Sequence, residues 1–158
     1  MAETRQALLA AVGRATQAYQ RATDGFDDTV GRVLSLNPTD LRCLDWLSEG
    51  DMTAGQLADA VGLSSAATTT LLDRLEAKGF VRRVRDTADR RRVLVGLTDA
   101  GGQQIGRLYG PLAQEGGRML RRFSTAELTR IRAFLDESTA LVDRERARLR
   151  AAGSRRGA

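Results

Sequence analysis

"QLADAVGLSSAATTTLLDRLEAKGFVRRVRDTADRRRVLVGLT", residues 56–98, decides the fold. Thr53 and Gln56 stand at the spacing of a capping box, in which each side chain satisfies an amide left free at a helix start. They open a short helix, "AGQLADAV" (54–61), with Leu57, Ala60 and Val61 on its apolar face and Gly62 as a left-handed stop. Ser64 is the N-cap of the next helix, which ends at Gly79. Thr68, Leu71, Leu72 and Leu75 recur at helical spacing and are its inward face. A short helix, a tight turn and a second helix free on one side make a helix-turn-helix. Beyond Gly79, Phe80–Arg85 alternates weakly and Val93–Leu97 clearly, as half-buried strands do. "DTADRRR" (86–92) joins them into a long-tipped hairpin.

Working outward, the N-terminal side reads as a long helix over 5–33, with Leu8, Leu9, Val12, Ala15, Tyr19 and Ala22 at helical spacing and Gly25 as a place for a kink. "EGDM" (49–52) reads as a turn. "SLNPTDLRCLDWL" (35–47) opens a second helix: Asn37 as N-cap, Pro38 at the first helical position, Asp40 at the positive end. On the C-terminal side Thr98 caps a helix over 99–122. It holds Pro111 and six glycines, and Pro costs about 3 kcal/mol and Gly about 1 kcal/mol inside a helix. That segment is therefore either kinked near 110 or two helices. Ser124 and Glu127 repeat the capping-box spacing and start a last helix to about 150, with Leu128, Ile131, Leu135, Val142 and Leu149 as its stripe. The expected fold is mainly α with a small β-hairpin wing: a winged helix-turn-helix lobe over 37–98, flanked by long helices over 1–36 and 99–151, with a disordered tail over 152–158.

Composition narrows the function. The 158 residues suffice for one domain with a real core, and 4% aromatics make that core aliphatic. Net charge is +5 and the sequence pI is about 10.5, carried almost wholly by arginine, since Lys78 is the single lysine. Such a balance favours a polyanionic partner. There is no histidine, one cysteine and no phosphate-cradling glycine loop after a strand, so no enzyme, metal site or cofactor is expected. Cys43, between Leu41 and Leu44, reads as core, because Arg42 points to another side of the helix. The start has no basic segment followed by a long apolar one, and no run approaches membrane length. A cytoplasmic protein is expected.

The outward face of the second helix of the pair is small and hydroxylic. Ser64, Ser65, Ala67, Thr69, Thr70 and Arg74 fall on it or at its start, and small residues let a helix approach base edges closely. The hairpin adds Arg83 on the way in and Arg90 and Arg91 after the tip. A guanidinium is planar, always charged and suited to a narrow groove of negative potential. These residues are the expected contacts to double-stranded DNA, helix in the major groove and wing arginine in the minor groove. A winged-helix protein-interaction module without direct DNA binding is the alternative, and it leaves the arginine tip idle.

Residues 57–101 resemble the winged-helix core of MarR-type transcription regulators. The matching pieces are Leu57-Ala58, Leu63-Ser64, Leu75-Glu76, Gly79-Phe80-Val81, Asp89-Arg90-Arg91, and Leu97-Thr98 followed by Gly101. "LNPTDLRCLDWLSEG" (36–50) is similar to the family's second helix. The resemblance implies a homodimer whose terminal helices interlock and whose two lobes read a pseudo-palindromic operator. It implies Arg91 as the minor-groove arginine, with Asp89 bracing the wing. It also implies a repressor released by a small aromatic or anionic ligand, for which Tyr19 and Trp46 are the candidate pocket residues. Thr70 stands where many members carry a basic residue and Thr68 where they carry an aliphatic one.

Overall fold

The computed structural model describes residues 4–86, 89 and 91–154. Its elements are α1 (Arg5–Leu34), α2 (Pro38–Ser48), β1 (Met52–Thr53), α3 (Ala54–Val61), α4 (Ser65–Ala77), β2 (Val81–Arg85), β3 (Val93–Leu97), α5 (Asp99–Leu120) and α6 (Thr125–Ser154). Caps read from residue type set most of these boundaries. Asn37 and Asp40 bond reciprocally across the first turn of α2, and Thr53 and Gln56 do so for α3. Ser64 Oγ accepts from the Ala67 amide to open α4. Gly62 and Gly79 take the left-handed conformation at φ 80° and 77°, which side chains disfavour. At the start of α6, Ser124 and Glu127 exchange bonds, and the Ser124 hydroxyl and amide hold the Glu127 carboxyl below its usual pKa.

Three features differ from expectation. Met52 and Thr53 are not all turn: they form β1, which pairs antiparallel with β3, so the wing hairpin belongs to a three-stranded sheet in the order β1-β3-β2. The register sets Val81 against Leu97, Arg83 against Val95 and Arg85 against Val93. Gly96 makes room at the seam, because a Cβ there would collide with the Asp51 carboxylate beside β1. The segment holding Pro111 is a single helix from Asp99 to Leu120 and not two, and Gly25 does not interrupt α1. The last helix is longer than expected, because α6 continues to Ser154; residues 155–158 of the expected tail lie outside the described ones.

The chain divides into two units, Met1–Leu108 and Tyr109–Ala158. The first holds the core: Leu44 and Leu47 from α2, Leu57 and Val61 from α3, Leu71, Leu72 and Leu75 from α4, and Phe80, Val81 and Val95 from the sheet. On α3 the buried face is Leu57, Ala58 and Val61, with Ala60 half-buried. Thr98 ties the end of the sheet to α5: its hydroxyl donates to the Gly79 carbonyl and accepts from the Gly101 amide. In the second unit no described residue of α6 is buried; of its apolar stripe Leu128 and Ile131 are half-buried, and Leu135, Val142 and Leu149 are exposed.

Candidate nucleic-acid interface

The inward face of α4 is as the spacing requires: Thr68, Leu71, Leu72 and Leu75 are all buried. Ser64, Ser65, Ala66, Ala67, Thr69 and Thr70 are exposed and form one small, uncharged surface at the N-terminal half of the helix. Thr69 Oγ1 donates to the Ser65 carbonyl at 3.0 Å and Thr70 Oγ1 to the Ala66 carbonyl at 3.1 Å. With the proton turned back to the helix, each hydroxyl offers lone pairs and a methyl group outward. The positive end of the helix dipole and its first free amides lie at the same place, as favours an anion.

The wing arm is held by backbone bonds. The Asp86 amide donates to the Arg92 carbonyl at 3.0 Å, and the Arg92 amide to the Asp89 carbonyl at 2.9 Å. Asp89 Oδ1 accepts from the Arg91 amide at 3.0 Å. Asp89 therefore braces the arm through a main-chain N–H. Asp86 takes a guanidinium instead, 3.7 Å from Arg92 Nη1. The Arg91 side chain is exposed and has no ion-pair partner among the described residues. Arg90 lies outside the described residues.

Two further arginines expected at the duplex are engaged inside the protein. Arg74 starts from the exposed side of α4, but its Nη2 lies 2.5 Å from Oδ1 of Asp40, a carboxylate only 2% exposed on α2. Desolvating that carboxylate demands a close cation, and this draws the long arginine stem across α4. Arg83 on β2 forks over the outer edge of α4. Its Nη2 meets Asp73 Oδ1 at 2.6 Å, and its Nη1 pairs with Glu76 Oε2. The Asp73 hydrogen bond raises the guanidinium pKa most; desolvation opposes it, and the Glu76 and Asp73 charges add to the rise. Lys78, at the end of α4, donates to the Ser35 carbonyl where α1 ends. Sequence reading missed these ties of α4 to its neighbours, because each joins residues whose proximity depends on packing or strand register.

The remaining candidates fall elsewhere. Cys43 is fully buried, and burial, with the nearby Asp40 carboxylate, pushes its thiol pKa up to about 12. Tyr19 is 70% exposed on α1 and Trp46 38% exposed on α2. Burial, followed by Glu49 and Asp27, raises the pKa of Asp45 next to Trp46. Among the described residues no group of three or more metal-ligating side chains occurs, and no helix is long and apolar enough to cross a membrane.

Comparison with known proteins places the family and the fold. The family model for the MarR family matches residues 36–93. YcgE of Bacillus subtilis (strain 168), an uncharacterised HTH-type transcriptional regulator, is 37% identical over 126 residues, covering 79% of this chain and 82% of YcgE. The crystal structure of the transcriptional regulator BldR from Sulfolobus solfataricus is 28% identical, with a TM-score of 0.54 over 86% of this chain and 94% of that one. A mutant of S. aureus MepR bound to an oligodeoxyribonucleotide is alike in fold, with a TM-score of 0.52 and 18% identity over 81% of this chain and 97% of that one.

Proposed function

The chain belongs to the MarR family of HTH-type transcriptional regulators, and from that premise we propose that it works as a homodimeric repressor reading a pseudo-palindromic operator. Each subunit sets the N-terminal half of α4 into a major groove and Arg91 into the flanking minor groove. One observation carries this reading: the small face of Ser65, Ala67, Thr69 and Thr70 stands free on the same unit as a braced arm whose Arg91 guanidinium has no ion-pair partner among the described residues. Ser64 supports the helix start as its cap, and Arg90 joins Arg91 as a backbone contact. Arg74 and Arg83 serve the site from inside, by holding α4 in place.

Acceptor lone pairs on Thr69 and Thr70 suit the amino groups of adenine or cytosine, and their methyls suit the thymine methyl. Release by a small aromatic or anionic ligand is the finer part of the proposal. Tyr19 and Trp46 supply rings that the single subunit leaves exposed, ready to line a site completed by the partner.

Selection of bound duplexes from a random pool tests the function. The expected product is a two-fold symmetric site whose half-sites lie about one helical turn apart. A pool that never enriches at low salt would return the protein-interaction reading.

A further inference from the structure

Arg83 stands on β2 beside the recognition helix, and both terminal nitrogens of its guanidinium are occupied by that helix. Asp73 and Glu76 stand three apart on α4, so they project side by side from its exposed edge. Arg83 is the middle residue of β2, paired with Val95 of β3, so it sits in a sheet whose opposite end leads into the wing arm. A planar fork with both arms filled fixes an angle as well as a distance, which a single point charge does not. The other two ties of α4, Arg74 to Asp40 and Lys78 to the Ser35 carbonyl, join it to helices and leave the wing untouched. Among the described residues Arg83 is the ion-paired link between α4 and β2.

We infer that Arg83 is a positioning residue: its fork across Asp73 and Glu76 sets the wing at a fixed register to the recognition helix, so that Arg91 reaches its groove only when α4 is seated on the matching bases. This rests on the function proposed above. Its consequence is a division of labour among like charges. Arg91 contacts the duplex, and Arg83 makes two contact points arrive together. Discrimination between sequences depends on that coincidence, because a wing free to swing would find phosphates wherever the helix lay.

The test is a double-mutant cycle on the full chain. The probes are a duplex enriched by the wild-type protein from a random pool and a scrambled duplex of equal length. Arg83→Ala is expected to weaken binding to the enriched duplex about tenfold and to the scrambled one about twofold or less, the mark of lost register and not of a lost phosphate contact. In an Asp73→Asn, Glu76→Gln background the same Arg83→Ala change is expected to cost no more than about twofold on either probe. An equal loss on both probes that persists in the acid-free background would overturn the inference and make Arg83 a direct backbone contact. A DNA-free arm keeps this separate from the function itself. In the unbound protein, Arg83→Ala and Asp73→Asn, Glu76→Gln should each speed amide exchange in β2 and the second half of α4. Unchanged exchange in both variants would refute the clamp whatever the DNA result, and failure of the wild-type chain to enrich any duplex would refute only the proposed function.

Discussion

Arg91 and Arg83 share a residue type, a hairpin and a charge, and differ in what surrounds them. Asp89 Oδ1 accepts from the Arg91 backbone amide, and among the described residues the Arg91 side chain has no ion-pair partner, so it keeps its reach. Replacing it with alanine should weaken duplex binding by about 1–3 kcal/mol, roughly five- to 150-fold, with no loss of thermal stability. A titration against the enriched duplex reads this, and unchanged affinity would favour a protein partner over DNA. Cys43 makes the opposite case. Thiolates are the reactive form, and a thiol with a pKa of about 12 is almost wholly protonated at neutral pH. Labelling by a thiol reagent at pH 8 should therefore be slow and should accelerate with sub-denaturing urea, tracking opening of the core. The sign of the pH effect follows from the same shift. Between the ordinary value of 9.0 and about 12 the unfolded thiol ionises and the folded one does not, so stability falls as pH rises through that window. Cys43→Ala should lack that part of the decline, as urea midpoints measured from about pH 8 to 11 would show. The cysteine was legible from its neighbours in sequence. The ion pairs of Arg74 and Arg83 were not, because a helical wheel marks which face a side chain starts from and not where a long stem ends.

Among the elements, local chemistry wrote the helix boundaries and tertiary pairing wrote the sheet. Caps at Asn37, Thr53, Ser64 and Ser124 were readable because each is a short-range exchange between a side chain and amides within three residues. β1 was not readable, since two residues carry no period and acquire strand geometry only by pairing with Leu94 and Val95. The unbroken α5 follows the same rule. Glycine and proline lower its intrinsic propensity, yet Ile105 packs on the core and Thr98 caps the start, and such context outweighs propensity. The glycines of α5 are accordingly not equivalent. Added to Gly101, a Cβ would fall 2.5 Å from the Phe80 carbonyl oxygen and 2.8 Å from its Cα, both backbone atoms that cannot swing aside. Alanine in a helix normally gains up to about 1 kcal/mol over glycine, but forced overpacking costs about 1–3 kcal/mol, so Gly101→Ala should destabilise. A methyl group added at Gly106 would meet nothing within 4 Å, so Gly106→Ala should gain about 0.5–1 kcal/mol. Opposite shifts in melting temperature for the two variants are the expected result.

At the scale of the whole molecule, α6 poses a question of stability that the single chain leaves open. It spans 30 residues, none of its described residues is buried, and Phe134, Leu135, Leu141, Val142 and Leu149 are between 46% and 62% exposed. Helical stability in proteins comes mainly from packing an apolar face, and a helix that packs none is marginal in water. α1 adds Leu8, Leu9 and Val12, each more than 40% exposed. Apolar rows of this length on two terminal helices match what an obligate dimer interface requires, and covering them with a second copy would supply the burial α6 lacks. DNA binding would then inherit the proposed dimer. In the proposed homodimer, two lobes on one two-fold axis would turn the second half-site into an intramolecular event, worth about a hundred- to ten-thousandfold in affinity. Placing carboxylates on the stripe, as Leu135→Glu with Val142→Glu, should therefore give a sedimenting monomer with reduced helical signal. On a two-half-site duplex it should bind no better than wild type binds a single half-site. A variant that stayed dimeric, or a monomer with undiminished affinity, would show that α6 is covered in some other way and that one lobe suffices.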